Sequence, residues 1–138
     1  MGRDRVVSAS DDGSLKLWSV SEQRLLGTFK GHMGGALCVC WLGDGRIASG
    51  GWDDKTVKIW DLDTRACLKT LTGHIWPVNC VGVLGDGRLV SGSEDRTVKV
   101  WSVAIGVCLG TCTGHEDTVV SVVGLEDGRL VSASVTGP

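Results

Sequence analysis

No charge surplus marks this chain. Its 14 basic and 16 acidic residues leave a formal net charge of −2. The concentrated basic field that draws a protein to nucleic acid or to an anionic membrane surface is therefore missing, and neither partner is expected. No apolar run approaches the roughly 18 residues that a spanning helix needs, so nothing is expected to cross a membrane. The opening residues, Met1-Gly2-Arg3-Asp4-Arg5, lead straight into a strand pattern with no apolar signal region. The expected location is intracellular, cytoplasmic or nuclear. The patterns GxxxxGKS/T, GxSxG and HExxH are absent, which removes the phosphate loop, the nucleophile elbow and the helix-borne zinc pair. No linker, low-complexity tract or second domain interrupts the sequence.

Six cysteines are present, but not in a metal-binding arrangement. Cys38-Val39-Cys40 is no zinc pattern, because structural sites use pairs spaced two to four residues apart together with a second pair. Cys38 and Cys80 occupy one repeated position, Cys67 and Cys108 another. A residue type that recurs by position reads as small apolar filler, with reduced thiols in an intracellular setting. No metal and no cofactor is expected.

What is abundant is glycine and repetition. The 21 glycines and a hydrophobic share of 42% suit a turn-rich all-β chain. Gly31-His32, Gly73-His74 and Gly114-His115 are spaced 42 and 41 residues apart, as are Trp18, Trp60 and Trp101. Between these markers the residues alternate with period two, as half-buried strands do. Strands are predicted over 5–10, 15–18 and 24–29, then 36–42, 47–50, 56–60 and 67–71. A third unit places them over 78–84, 89–92, 97–101 and 108–112, and a fourth over 119–125 and 130–134. Gly43-Asp44-Gly45-Arg46, Gly85-Asp86-Gly87-Arg88 and Glu126-Asp127-Gly128-Arg129 read as hairpin turns, where Asp-Gly supplies positive φ. The stretch 5–10 is nearly identical to 129–134.

Repetition at about 40–45 residues is the sign of a propeller array with one four-stranded blade per unit. The recurring GH pairs and the framed tryptophans, in Trp18-Ser19, Trp60-Asp61 and Trp101-Ser102, resemble the markers of the WD40-repeat family across essentially the whole chain. The fold expected is all-β, a WD40-type propeller segment of about three four-stranded blades. It forms one domain over 1–138, with a partial blade at 1–29, blades at 30–72 and 73–113, and a partial blade at 114–138. Too few blades for an ordinary ring leaves it open or completed by partner chains. That points to a fragment of a longer propeller or to head-to-tail self-association.

The resemblance implies a hydrogen-bonded tetrad of His, Ser, Asp and Trp within each blade. Position by position, these are His32, Ser49, Asp54, Trp60 and His74, Ser91, Asp95, Trp101. The first unit keeps Ser8, Asp12 and Trp18. The last keeps His115 and Ser132, with Thr136 at the Asp position. The residue types suit such a chain: indole N–H only donates, hydroxyl donates and accepts, and carboxylate accepts. Ser, His and Asp also make up hydrolase triads, but an enzyme has no use for one in every blade, and no oxyanion-hole motif accompanies them. The expected function is a non-catalytic protein-interaction scaffold. The alternatives are a truncated piece of a larger propeller, such as a ubiquitin-ligase substrate receptor or a signalling scaffold, and, remotely, an enzyme. Segments 67–74 and 88–93 look like repeats of F-box-type receptors, although no F-box region is present. A WDxR adaptor box is absent too, since Leu62-Asp63 follows Trp60-Asp61.

Two further expectations concern the surface. Asp11, Asp53 and Glu94 precede the tetrad Asp positions, and Glu116 and Asp117 follow a GH pair. With Trp52 and Trp76 they form a candidate rim for protein or peptide partners, a basic peptide in particular. Alternatively the acids are solvated turn residues and the indoles cover the core edge. Trp52 falls where one extra residue separates Ser49 from Asp54, which reads as a β-bulge. Trp41 is expected in the core, and Lys16, Lys58 and Lys99 on solvated faces.

Overall fold

A computed structural model describes residues 4–135, which hold thirteen strands and no helix. They are β1 (Arg5–Ala9), β2 (Leu15–Ser19), β3 (Arg24–Phe29), β4 (Ala36–Gly43), β5 (Arg46–Gly51), β6 (Val57–Asp61) and β7 (Cys67–Leu71). Then follow β8 (Val78–Val83), β9 (Leu89–Ser93), β10 (Val98–Ser102), β11 (Val107–Cys112), β12 (Val119–Gly124) and β13 (Leu130–Ser134). Each strand pairs antiparallel with the next inside four meandering sheets: β1-β2-β3, β4-β5-β6-β7, β8-β9-β10-β11 and β12-β13. The strand ends move by one or two residues from the period-two reading. The Trp-bearing strand of a sheet runs one residue past its Trp, to Ser19, Asp61 or Ser102. There a side chain organises the following turn: Ser19 Oγ accepts from Glu22 N at 3.2 Å, Asp61 Oδ2 from Thr64 Oγ1 at 2.9 Å, and Ser102 Oγ from Ile105 N at 3.4 Å.

The cores lie between sheets, not within them. Leu15, Leu17 and Phe29 of the first sheet meet Ala36, Ile47, Trp60 and Leu62 of the second. Ala48, Val57, Ile59 and Leu71 meet Val78, Leu89, Trp101 and Val103. Cys80, Val90 and Val98 meet Val119 and Val122. Period-two alternation explains this: one side of each sheet faces its predecessor and the other its successor. Trp60 and Trp101 both face the preceding sheet. Trp60 and Trp101 are 1% exposed, and Trp60 packs edge-on against Phe29 of the preceding sheet, with ring centroids 5.9 Å apart. Glycine lets the connecting chain pass over these rings: a Cβ at Gly31, φ +159°, would lie 2.9 Å from Trp60 Cη2. Polar ties join neighbouring sheets at their outer edges. Arg65 Nη2 donates to Leu26 O at 2.9 Å and Lys69 Nζ to Ala104 O at 2.7 Å.

Four expectations need correction. Trp41 is not core; it is 39% exposed. Its counterpart Val83 packs in the cluster holding Cys40 and Leu42 of β4, but the first sheet, innermost at β1 among the described residues, offers Trp41 no such strand. The extra residue near Trp52 makes no bulge in the β5–β6 ladder, which pairs regularly from Arg46↔Asp61 to Gly50↔Val57. It lengthens the turn between them. Cys38, Cys40 and Cys80 do fill space between sheets, and burial pushes the Cys40 thiol up to about 12 and that of Cys80 to about 11. Cys67, Cys108 and Cys112, on outer strands β7 and β11, are exposed and fill nothing. Finally, the strand-centre lysines are not merely solvated. Lys16, Lys58 and Lys99 each reach across to a threonine hydroxyl, on Thr28, Thr70 and Thr111, at 3.2, 2.9 and 2.9 Å.

The three DG turns also divide. Asp44 and Gly45 both take positive φ, +53° and +70°, as a two-residue hairpin turn requires. In the other two only Gly87 and Gly128 do so, each at +88°, with the amides of Arg88 and Arg129 donating to Asp86 and Asp127 Oδ1 at 3.1 Å.

Candidate functional site

In each of the two four-stranded sheets, the connection into the innermost strand and the turn between the second and third strands meet at one end of the sheet. In the third sheet, Trp101 Nε1 donates to Ser91 Oγ at 2.8 Å, Ser91 Oγ lies 2.7 Å from His74 Nε2, and His74 Nδ1 lies 2.7 Å from Asp95 Oδ2. The second sheet repeats this with Trp60, Ser49, His32 and Asp54 at 2.8, 2.6 and 2.8 Å. One proton assignment satisfies every member. The indole donates to the hydroxyl, the hydroxyl donates to Nε2, and Nδ1–H donates to the carboxylate. The imidazole is therefore neutral. Burial lowers the His74 pKa below its ordinary value, against the opposing pull of Asp95, and the same holds for His32 with Asp54.

The aspartates do more than hold histidine. Asp95 Oδ2 accepts Ile75 N at 3.3 Å and Oδ1 accepts Thr97 N at 3.0 Å. Asp54 accepts Met33 N at 3.1 Å and Thr56 N at 3.2 Å in the same way. Each carboxylate thus ties the incoming connection to the turn. Although burial alone would raise both carboxyls, their hydrogen bonds outweigh it, and both are held below the ordinary carboxylate value.

The two sets differ at one hydroxyl. Thr97 Oγ1 donates to Asp95 Oδ1 at 2.6 Å, whereas the longer turn of the second sheet leaves Thr56 Oγ1 buried without a partner. Removing a buried unsatisfied hydroxyl is nearly free, while breaking a satisfied one costs about 1 kcal/mol. Thr56→Val is expected to leave the urea midpoint unchanged or raised, and Thr97→Val to lower it.

The outer sheets hold half-sets. Trp18 Nε1 donates to Ser8 Oγ at 2.9 Å, and Asp12, without a histidine, turns to its own loop, accepting Ser14 N at 2.9 Å. His115 Nε2 lies 2.6 Å from Ser132 Oγ. Thr136 lies outside the described residues. The Ser49–His32 and Ser91–His74 pairs are thus enclosed by structural partners, a Trp on one side and an Asp on the other. Among the described residues, no three His, Cys, Asp or Glu side chains are grouped to hold a metal ion.

The candidate rim residues collect around these ties. Trp52 N donates to Gly35 O at 2.8 Å and Asp53 N to Met33 O at 3.2 Å. Glu94 N donates to Pro77 O at 3.1 Å. Asp11, Gly35, Leu37 and Trp52 line a cleft between the first and second sheets. Trp52 and Trp76 are 45% and 53% exposed, so neither indole is core. Lys55 Nζ stands 5.6 Å from the Trp76 ring centroid. Glu116 is exposed, and Asp117 accepts Thr118 N at 2.7 Å. Sequence reasoning missed two rim residues, Met33 and Ile75, each 69% exposed. The signal was available: both are apolar residues directly after a GH pair, in a connection that cannot bury them.

Comparison with known proteins follows the same frame. The family model described as WD domain, G-beta repeat matches residues 2–19, 23–61, 65–102 and 106–137. Among solved structures, the crystal structure of the WD40 beta propeller domain of Doa1 superposes with a TM-score of 0.87 at 30% identity, over 95% of this chain. The chain spans 44% of the length of that propeller chain.

Proposed function

We propose, for a chain that belongs to the WD40-repeat family, that it binds basic peptide segments of partner proteins on the rim where the sheet connections meet. WD40 propellers are generally protein-interaction scaffolds and typically not enzymes. The observation that carries the finer reading is the pairing of exposed apolar side chains, Met33, Trp52, Ile75 and Trp76, with Asp11, Asp53 and Glu94 at one end of the sheets. The acids steer a basic segment and raise its rate of encounter, and the indoles anchor it. The Ser–His–Asp sets face inward and are occupied with one another, which favours a structural over a catalytic role for them.

A library of basic peptides tests this. Binders selected with the wild type are expected to lose about tenfold in affinity, or more, against Glu94→Lys, and to weaken in high salt as surface charge is screened. Binders indifferent to Glu94→Lys, to Trp76→Ala and to salt would remove the rim from consideration.

A further inference from the structure

Trp52 stands over a cleft that it shares with Asp11, Gly35 and Leu37. We infer that this cleft receives a single arginine side chain of a partner protein, a proposal that rests on the rim reading above.

Two adjacent glycines shape the loop at the cleft: Gly35 lines it, and Gly34 precedes Gly35. Gly34 takes φ +69°, and a Cβ there would fall 2.7 Å from the Asp53 carboxyl carbon. A Cβ on Gly35 would lie 3.2 Å from Asp11 Cα and 3.4 Å from Asp11 Oδ1. The missing side chains let a carboxylate approach the loop from either side, Asp11 from the first sheet and Asp53 from the second. Among the described residues no hydrogen bond or ion pair engages either carboxylate. The Trp52 indole, which lines the cleft together with Asp11, is held by its own backbone, through Trp52 N to Gly35 O, and is 45% exposed.

The other rim indole shows what such a ring takes. Trp76 already carries a cation, Lys55, which belongs to the same turn as Trp52. Trp52 has no such partner among the described residues, so the ring left for an incoming cation is Trp52. Arginine fits better than lysine. Its planar guanidinium stacks on an indole while its edge donates to carboxylates, and its methylenes lie along apolar surface such as Leu37. A lysine offers one strongly hydrated point charge.

The indole N–H resonances of the full chain, which has six tryptophans, provide the readout. The probe is the blocked tripeptide acetyl-Gly-Arg-Gly-amide at low salt, with lysine and citrulline versions as controls. The Trp52 signal, assigned from Trp52→Phe, is expected to shift saturably with the arginine peptide and more weakly with lysine. Citrulline, which has the shape without the charge, is expected to leave it in place. Asp11→Asn, an exposed and conservative change, is expected to weaken the arginine response about fivefold. A Trp52 signal that never moves, or that moves equally with citrulline, overturns the proposal. Library-selected binders separate its failure from that of the rim reading. If they respond to Glu94→Lys but not to Trp52→Ala or Asp11→Asn, the cleft is wrong and the rim stands. If none of these changes matters, both fall.

Discussion

Trp101→Ala is expected to destabilise the protein by about 3–5 kcal/mol, the usual cost of truncating a fully buried large aromatic. Trp18→Ala, at the same position of the repeat, is expected to cost a small fraction of that. Trp101 is 1% exposed and lies against Val57, Ile59 and Leu71 of the preceding sheet. Trp18 is only partly buried, and its cross-strand neighbours Val6 and Leu25 are 48% and 42% exposed. Losing Trp101 opens a cavity between two sheets and removes one of the two side-chain hydrogen bonds of the Ser91 hydroxyl; losing Trp18 removes a ring that solvent already reaches. Urea unfolding of the two variants measures the contrast. Equal losses would mean that burial between sheets does not set the worth of the repeated tryptophan.

The second large effect concerns His74. Removing it leaves Ser91 Oγ and Asp95 Oδ2 short of a partner in a buried setting, at about 1–3 kcal/mol. The lysine on the same sheet, Lys99, bonds Thr111 in an exposed environment, and Lys99→Ala is expected to cost a few tenths of a kcal/mol at most. His74→Ala should also alter the pH dependence. Burial lowers the native His74 pKa below the ordinary 6.5, so the unfolded chain binds a proton first as pH falls. Stability is then full above about pH 6.5 and declines below it, until the native pKa is reached. Asp95 is held below its ordinary 3.8 by its hydrogen bonds, which adds a second decline once pH falls below that value. Denaturant midpoints between pH 7 and 5 should fall less steeply in His74→Ala than in the wild type, with His32 supplying the slope that remains. An unchanged slope would show that the native His74 is not held neutral.

The repeat frame made the strands readable because each side chain type is dictated twice, once by period-two alternation and once by its place in the unit. Trp60 and Trp101 could be assigned to one role before any geometry was known. Contacts that depend on a neighbouring sheet were not readable in this way. Whether Trp41 is covered depends on what stands opposite β4, and nothing in the alternation around Trp41 says that. Lys55 and Trp76 belong to different sheets, and no local pattern pairs them. The orphaned hydroxyl of Thr56 and the satisfied one of Thr97 differ only through a longer turn. The count of residues between Ser49 and Asp54 revealed the extra residue, but not whether the ladder or the turn would absorb it. The exposed Cys67 and Cys108 repeat by position just as the inward-packed Cys38 and Cys80 do, so repetition alone did not distinguish an inner strand from an outer one.

Under the proposed function two sets of residues divide the work: the inward tetrads serve stability, and the rim serves recognition. Titrating one library-selected basic peptide against Trp101→Phe and Glu94→Lys tests that separation most directly. Trp101→Phe keeps an aromatic ring but loses the N–H that Ser91 accepts, so it should unfold at lower urea yet bind within about twofold of the wild type. Glu94→Lys should keep the wild-type midpoint and lose about tenfold in affinity, roughly 1.4 kcal/mol. The reverse pattern, binding lost in folded Trp101→Phe and retained in Glu94→Lys, would contradict the account.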